Sequence, residues 1–280
     1  MTTVAVLGAS GFIGTRVLAE LTRAHPQWNV RAFAQNKKRN CHALSILEPN
    51  AVRAALHGVN IVFHLVASQS SDPLVKRKVI EQGTRNVVAA CKKYHVSKLV
   101  FLSSYAARRA HKDVTGVAKK RAESLVRASR INYAIIQPTL VYGKGGRMFE
   151  HIVRSTRYPL IPVLGDGMYM VAPVFVNDLA RVLVDAIKPR HARKTYTVTG
   201  TILTYNAFVR EILKAQGRKA LLLHIPTGLI IMLVRCLHVL RILPFDERRV
   251  LRAMENVQDK NKFVYRVTPL RKGLQCSLKN

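Results

Sequence analysis

The chain has 280 residues, of which 49% are hydrophobic, and its modest glycine and proline content excludes a fibrous or disordered protein. Lysine and arginine outnumber aspartate and glutamate by 46 to 15, so the formal net charge is +31. The excess is spread over both halves of the chain and indicates a polyanionic neighbour, such as nucleic acid, an anionic membrane or acidic protein subunits. A generally basic compartment is the alternative explanation.

The cysteine and histidine patterns bear on compartment and metal content. Four cysteines lie far apart without a CxxC pair, and the ten histidines show no HExxH spacing. We therefore predict a reducing compartment and no structural metal. The sequence passes from MTT straight into an apolar run, so we expect no signal or transit peptide within the chain. An import signal removed before Met1 is compatible with the same sequence.

Short apolar runs alternate with helically spaced segments through the first half of the chain. The pattern predicts strands over 4–7, 30–33, 61–65, 98–102 and 133–137, and helices over 12–22, 50–57, 75–94 and 117–129. Strands that alternate with helices of this length form a parallel sheet with helices on both faces. The sequence therefore predicts an α/β protein with a Rossmann-type, doubly wound core over residues 1–140.

Beyond Pro138 the pattern becomes irregular, because glycine and proline recur in YGKGG, PLIPVLGDG and VAP. We expect residues 141–280 to form a smaller, loop-rich and partly helical cap. A helix over 177–187 and a strand over 194–199 are expected to return to the core.

Two helix starts in the cap have recognisable capping residues. Asn177 is predicted to cap the returning helix, which also carries an Arg181–Asp185 pair at i,i+4 spacing. Thr204 is predicted to open a further amphipathic helix.

The most apolar segment covers residues 221–243. Pro226 and Gly228 interrupt it, and arginine and histidine recur on one side, so a membrane-spanning helix is disfavoured. We expect a helix buried against the cap. A surface-lying or partner-facing amphipathic helix is the alternative.

A glycine motif, GASGFIG, lies between the first predicted strand and the first predicted helix. Gly8 allows a tight turn, Gly11 lets backbone approach a pyrophosphate, and Gly14 lets the helix sit close to the strand. The N–H groups at the helix start add partial positive charge. The motif predicts dinucleotide binding; the alternative is a retained turn beside an empty crevice. The candidate binding residues at this turn are Gly8, Ser10, Gly11, Phe12, Ile13 and Gly14.

The end of the second strand bears on which dinucleotide is bound. NAD sites usually place an acid there for the ribose hydroxyls, whereas a 2′-phosphate needs cationic donors. Here Gln35 and Asn36 are followed by Lys37, Lys38 and Arg39, with no carboxylate. We therefore predict NADP(H), with NAD(H) less favoured. The alternative is that the three cations belong only to the general basic surface.

Together, GASGFIG, HGVNIVFHLVAS, KLVFLSS and VAPVFVNDLARVLVDAI resemble the extended and atypical short-chain dehydrogenase/reductase superfamily over nearly the whole chain. The resemblance implies that GASGFIG holds the pyrophosphate and that the segment 65–68 runs beside the cofactor. It also implies catalysis by a serine or threonine after the fourth long strand and a Tyr-x-x-x-Lys on the next helix. Further cofactor-binding positions implied by the resemblance are Ser45, Ile46, Val66, Ala67, Ser68, Lys119, Pro138 and Thr139.

The catalytic pattern is incomplete. The serine is present as Ser104, or as Ser103 if the strand ends one residue earlier, and the lysine is Lys119. At the tyrosine position stands Thr115, whose aliphatic hydroxyl is far less acidic than a phenol with its free pKa of about 10. Ser45 likewise stands where the family leads us to expect an aspartate near the adenine. We therefore predict that Ser104 and Lys119 are remnants of a catalytic site.

Two other phenols could replace the missing tyrosine. Tyr105 lies beside the serines, and Tyr142 lies in the loop after Pro138. Nothing in the sequence orients either hydroxyl, and packing of both rings in the protein interior is the favoured interpretation.

One branch of the superfamily shares later motifs with this chain. The Pro-x-x-x-Tyr-Gly step at 138–143, the IPxxG turn at 161–165, the PVxVxD entry at 173–178 and PFD at 244–246 resemble NADPH-binding accessory subunits of mitochondrial complex I and their bacterial relatives. The resemblance implies a bound nucleotide with a structural or sensing role. It implies other subunits of a large complex as partners and a peripheral position on the matrix side of the inner membrane, where cardiolipin supplies negative charge. A cytoplasmic location is the alternative.

Three functions therefore stand as hypotheses. The first is a non-catalytic, NADPH-holding subunit of a membrane-associated assembly. The second is an active epimerase, dehydratase or reductase with a rearranged acid, supported by Ser104 and Lys119. The third, an RNA-associated basic subunit, rests on basic runs such as 76–78 and 119–121 alone.

Overall fold

The computed structural model describes residues 1–37, 40–68, 70–109, 113–239, 247–257, 259 and 263–278. At its centre is a parallel sheet in which neighbouring strands follow the order β11-β6-β5-β4-β1-β2-β3. The seven strands are β1 (Thr3–Leu7), β2 (Asn29–Ala34), β3 (His42–Ala43), β4 (Ile61–His64), β5 (Lys98–Leu102), β6 (Tyr133–Pro138) and β11 (Lys194–Val198). The strand order changes direction between β1 and β4, which is where doubly wound sheets open a ligand crevice.

Helices cover both faces of this sheet, and β1 shows why. Side chains alternate along a strand, so Val4 and Val6 enter one apolar cluster while Ala5 and Leu7 enter the other. The first cluster lies under α1 (Phe12–Ala24) and α6 (Val176–Asp185), and the second under α2 (Pro49–Leu56), α3 (Pro73–Lys93) and α4 (Val114–Ala128). The predicted α/β, Rossmann-type doubly wound fold is confirmed.

The predicted starts of α2, α3, α4 and α6 differ from the structure by one to three residues, and those of α4 and α6 have an identifiable cause or consequence. Helix α4 begins three residues early, because the Asp113 carboxylate accepts a hydrogen bond from the Gly116 N–H at 3.0 Å. Helix α6 begins at Val176, so the predicted Asn177 cap is wrong. The predicted Arg181–Asp185 pair is also wrong, because Arg181 forms its ion pair with Asp178 instead.

The second half of the chain builds a layer of short strand pairs and helices. The pairs are β7 (Val141–Tyr142) with β10 (Val174–Phe175), β9 (Met170–Val171) with β12 (Leu203–Thr204), and β8 (Leu160–Leu164) with β13 (Leu221–Ile225). The helices described there, besides α6, are α5 (Arg147–Ser155), α7 (Tyr205–Ala215), α8 (Thr227–Val239), α9 (Glu247–Met254) and α10 (Leu270–Leu278). The Thr204 cap is confirmed, since its side chain accepts a hydrogen bond from the Ala207 N–H.

Two elements of this second half lie on the central sheet. Strand β11 pairs in parallel with β6, and α6 packs against α1. The division of the chain at residue 140 stays a prediction.

The apolar segment over 221–243 differs from the prediction. Its first residues form β13, and the helix is confined to α8. Of the described α8 side chains only Val234 is buried, so the expected burial against the cap is wrong for most of this helix. Residues 240–243 lie outside the described part of the chain, as does the PFD motif at 244–246.

Candidate functional site

The predicted binding residues converge at one edge of the sheet. All seven strands run in the same direction, so the loops that follow β1, β2, β4, β5 and β6 leave the sheet on the same side. These loops contain the glycine motif, Gln35 and Lys37, the 66–68 segment, Ser104 and Thr139. The structure therefore brings most of the predicted site to the carboxyl-terminal edge of the sheet, on either side of the point where the strand order reverses.

The glycine turn is held against the end of β2. The N–H groups of Gly8 and Ala9 both donate to the Phe33 carbonyl oxygen at 2.9 Å. Gly8 has φ +87°, and a Cβ there would approach the backbone of Leu65 and Val66 to 3.2 Å. The turn thus depends on glycine both for its conformation and for its close approach to the end of β4.

The other two glycines of the motif keep the start of α1 free of side chains. A Cβ on Gly14 would lie 2.2 Å from the Gly8 carbonyl oxygen, which the backbone cannot accommodate. Gly11 is the N-cap of α1 and has no side chain to fill the turn, so the first N–H groups of the helix receive no side-chain cap. A helix start of this form binds phosphate groups, and these residues therefore fit the pyrophosphate of a dinucleotide.

The residues after β2 are in the position expected for contact with the adenosine ribose. Gln35, Asn36 and Lys37 are all exposed. Lys38 and Arg39, which were also predicted as ligands of a 2′-phosphate, lie outside the described residues.

Ser45 and Ile46 are differently placed. Ser45 is exposed, and its hydroxyl accepts a hydrogen bond from the Leu47 N–H at 3.3 Å. Ile46 is buried against α3, where a Cβ on Gly83 would meet its side chain at 2.3 Å, and its carbonyl oxygen accepts a hydrogen bond from Asn86. The Ile46 side chain therefore packs in the core. A nucleotide contact at this position has to be made by the backbone.

The remaining predicted contacts lie in the loops after β4 and β6. Val66, Ala67 and Ser68 follow β4 directly and are half-buried or exposed. Pro138 ends β6 and is buried. The Thr139 hydroxyl donates to the Ala172 carbonyl oxygen, so it holds a cap segment over the sheet edge.

The two serines after β5 have different environments. Ser103 is buried, and its hydroxyl donates to the Glu123 carboxylate at 2.5 Å. Ser104 is half-buried, and its hydroxyl accepts a hydrogen bond from the Ala106 N–H at the start of a short 3₁₀ turn, Tyr105–Ala107. Ser104 is therefore the more accessible of the two hydroxyls.

Lys119 lies one turn into α4 with its ammonium group buried. Its Nζ donates to the Leu102 carbonyl oxygen at 2.7 Å and lies 4.9 Å from the Phe101 ring centroid. Burial lowers the pKa of Lys119 to about 8, although nearby Glu123 acts in the opposite direction. Thr115 lies one helical turn earlier, on the same face of α4. The position that would hold a phenol next to this lysine is thus occupied by a short aliphatic hydroxyl.

Both alternative phenols are packed in the interior. Tyr142 is 1% exposed, and its ring contacts Phe149, Phe175 and Phe208. Burial, assisted by Asp178, raises the pKa of Tyr142, so its hydroxyl is a poor proton carrier near neutral pH. Tyr105 is 8% exposed and packs in a small cluster with Ala172 and Val257.

Sequence reasoning missed a buried histidine at the end of β4. His64 is 1% exposed, and its Nε2 lies 3.0 Å from the Thr84 hydroxyl, which itself donates to the Ile80 carbonyl oxygen. His64 Nε2 therefore carries the proton. Its Nδ1 is buried without a hydrogen-bond partner among the described residues. Burial, followed by the positive charge of Lys119, lowers the pKa of His64 to about 3, so the ring is neutral.

Glu123 is the second residue that the sequence did not single out as functional. Its carboxylate, 2% exposed, accepts hydrogen bonds from Ser103, Gln137 and Arg127 at 2.5, 2.7 and 2.6 Å. It also lies one helical turn after Lys119, so it is the main countercharge for the buried ammonium group. The available signal was the i,i+4 spacing of these two charges on a helix with a buried face.

Comparison with known proteins establishes the class to which this site belongs. A family model described as NAD(P)H-binding matches residues 8–190, which is more than half of the chain. The chain belongs to this NAD(P)H-binding family. This confirms the resemblance to short-chain dehydrogenases, reductases and epimerases.

Individual relatives are distant and differ in function. The chain is 25% identical over 258 residues to N-acetyl-alpha-D-glucosaminyl-diphospho-ditrans,octacis-undecaprenol 4-epimerase of Escherichia coli O157:H7, covering 80% of this chain and 75% of that protein. It is 23% identical over 210 residues to NADH dehydrogenase (ubiquinone) 1 alpha subcomplex subunit 9, mitochondrial, of Mus musculus, covering 70% of this chain and 56% of that protein. UDP-glucose 4-epimerase of Thermotoga maritima, solved with UDP-glucose, has a TM-score of 0.75 at 20% identity, covering 99% of this chain and 97% of that structure.

Proposed function

We propose that this chain is a non-catalytic, NADPH-holding subunit of a membrane-associated respiratory assembly of the complex I type. The observation that carries the proposal is Thr115 at the phenol position, one turn before a lysine whose ammonium group is bound to the Leu102 carbonyl. A bound dinucleotide supplies hydride chemistry, but proton transfer to a substrate oxygen needs a group that gains and loses a proton near neutral pH. Neither Thr115 nor the buried Tyr142 meets that requirement. Lys119 has a pKa of about 8, but its ammonium group is buried and donates to the Leu102 carbonyl oxygen.

The preference for NADPH is supported by the charge after β2. No carboxylate occurs between Gln35 and Asn40, and Lys37 is exposed beside the end of the strand. A lysine there stabilises a 2′-phosphate, whereas the ribose hydroxyls of NADH lack the usual acidic partner.

Membership of a large assembly is supported by the distant likeness to the mouse complex I subunit and by the net charge. A charge of +31 favours a position among acidic subunits or at an anionic membrane, where counter-charges offset self-repulsion. On this basis we propose a position at the matrix face of the inner mitochondrial membrane.

The proposal is tested by purification of the tagged full chain from its native source in mild detergent. We expect comigration with a large NADH-oxidising membrane assembly and recovery of about one NADPH per chain by mass spectrometry. A free protein that turns over a sugar nucleotide or a carbonyl compound would contradict the proposal.

An active epimerase or reductase is the second candidate. It is favoured by the accessible Ser104 hydroxyl, by Lys119 and by the greater coverage of the Escherichia coli epimerase. The discriminating measurement is the rate of NADPH oxidation with a panel of sugar nucleotides and carbonyl compounds, in the wild type and in Lys119→Met.

A further inference from the structure

Strand pair β8–β13 and helix α8 expose an unusual amount of aliphatic surface. Six side chains, which together we term the apolar surface, are each more than half exposed: Leu160, Leu221, Leu223, Leu229, Met232 and Leu233. Single exposed apolar residues are common in soluble proteins, but a group contributed by two paired strands and the helix that follows them marks a contact site.

The strand part of this surface follows from the register. Leu221 pairs with Leu160 and Leu223 pairs with Pro162 in the parallel β8–β13 ladder, so all four side chains point to the same outer side. Their partners on the inner side, such as Ile161, are buried in the cap core. The two-stranded sheet is therefore apolar on both faces, with only one face covered by the protein.

Helix α8 also leaves an aliphatic face uncovered. It begins two residues after β13 ends, and Leu229, Met232 and Leu233 share one face at i, i+3 and i+4 spacing. Val234 lies on the opposite side and is 7% exposed. The same side carries Arg235 and His238, both exposed, so α8 combines an uncovered aliphatic face with a basic one.

The charges around the apolar surface indicate its occupant. Residues 154–165 and 217–239 contain no aspartate or glutamate. Arginine and lysine side chains are exposed in both stretches, including Arg157, Arg218 and Lys219. Cations that flank aliphatic side chains are typical of segments that lie in the headgroup region of an anionic bilayer. Tyr158, which is 67% exposed two residues before Leu160, fits the same environment, because tyrosine is enriched at the membrane–water interface.

We propose that the apolar surface binds the chain peripherally to a bilayer of anionic lipid, with α8 lying in the plane of the membrane. None of the described helices is long and apolar enough to span a bilayer. A helix that lies in the membrane plane inserts its apolar side chains to the depth of the headgroup boundary. The inference rests on the proposed membrane-associated role and adds the surface that makes the contact.

The test is flotation of the full chain with phosphatidylcholine vesicles that contain about one cardiolipin in five lipids or none. We expect wild-type protein to float with the anionic vesicles and to bind the neutral ones at least about tenfold more weakly. The double variant Leu229→Glu/Leu233→Glu should lose at least about tenfold in binding to the anionic vesicles.

The matched control is Leu74→Glu/Val75→Glu, which makes the same change in charge at two exposed residues of α3 and should bind nearly as well as wild type. Leu221→Glu, at a 71% exposed strand position, is the second variant if the helix variant fails to fold. NADPH titration of each variant reports folding and tests the proposed function separately. Equal losses in both doubles, binding that ignores the lipid charge, or no flotation of wild type would overturn the proposal.

Discussion

Helices α1 and α4 both begin at the crevice edge of the same sheet, yet their first turns differ. Helix α1 is capped by Gly11, which has no side chain, so the N–H groups of its first turn are available to an anionic ligand. Helix α4 is capped by Asp113, whose carboxylate accepts a hydrogen bond from the Gly116 N–H, and the buried ammonium group of Lys119 donates to the Leu102 carbonyl oxygen. The first turn of α1 is open to a ligand, whereas the first turn of α4 has an N–H group bonded to its own cap residue.

This difference shows how binding and chemistry separate within one fold. The glycine turn depends on backbone geometry, and each of its three glycines is constrained by neighbouring backbone atoms. The proton-transfer site depends on one phenol, and its replacement by Thr115 leaves the helix, the lysine and Glu123 in place. Under the proposed function, the sheet keeps its nucleotide site although the position one turn before Lys119 offers no phenol.

The largest effect is expected at the glycine turn, in Gly14→Ala. The new Cβ would meet backbone atoms of Gly8 and Ala9 at 2.2 and 2.8 Å, so α1 has to move away from the turn. We expect a loss of about 3 kcal/mol in the free energy of unfolding, measured by denaturant titration, together with weaker NADPH binding.

Gly228→Ala is the control for this change. Gly228 also lies in the first turn of a helix, but a Cβ there meets nothing within 4 Å. Equal stability of the two variants would show that the close packing of α1 on the turn is not required.

The second prediction concerns the pH dependence of stability at His64, whose pKa is lowered by burial and by Lys119 of α4. Folding lowers the pKa of His64 from 6.5 to about 3, so below pH 6.5 the unfolded chain binds a proton that the folded chain does not. Wild-type stability should therefore fall as pH drops through this window. Between about pH 7 and about pH 5 we expect wild type to lose about 2 kcal/mol more than His64→Gln, whose amide can still donate to Thr84.

The measurement is denaturant unfolding of both proteins at the two pH values. Parallel losses in wild type and variant would show that His64 is accessible to protons in the folded state.

The third prediction concerns Lys37, the third residue after the end of β2. Removing the ammonium group in Lys37→Ala should weaken NADPH binding about tenfold in calorimetric titrations and change NADH binding much less, because only NADPH has the 2′-phosphate. Arg53→Ala, which removes an exposed cation of α2 that hydrogen-bonds Asn50, serves as the control for general charge effects. Equal weakening of both nucleotides by Lys37→Ala would contradict the assignment.

The smallest effect is expected for Lys119. Burial lowers its pKa in the folded chain from 10.5 to about 8, so the folded state binds fewer protons over that range and wild type gains stability as pH rises through it. From about pH 7 to about pH 9 we expect wild type to gain about 1 kcal/mol relative to Lys119→Met in denaturant unfolding. A constant difference between the two proteins would show that the ammonium group is solvated.

The first half of the fold was accessible from the sequence because hydrophobic period and turn residues agree there. Strand β5 matches the prediction at both ends, and α1 starts at Phe12 as predicted. In the cap, β13 lies within the 221–243 segment for which the sequence predicts a helix. A short aliphatic run followed by a helical segment has no periodicity that distinguishes the strand from the helix. Its strand conformation is set by pairing with β8, more than fifty residues earlier.

The site shows the same limit. The glycine motif is local, so its geometry could be anticipated from seven residues. His64 became apparent only from its contacts with Thr84 of α3 and Phe101 of β5. For Glu123 the spacing to Lys119 was visible in the sequence, but its contacts with Ser103 and Gln137 were not. The withdrawal of the Lys119 ammonium group onto Leu102 is likewise a contact between two elements that no sequence period encodes.

The most direct test of the account measures NADPH binding and NADPH oxidation on the same sample of the full chain. We predict saturable one-to-one binding by calorimetry and, with a panel of carbonyl and sugar nucleotide substrates, no oxidation above the protein-free rate at 340 nm. Steady turnover of any substrate that is abolished in Lys119→Met would contradict the central claim.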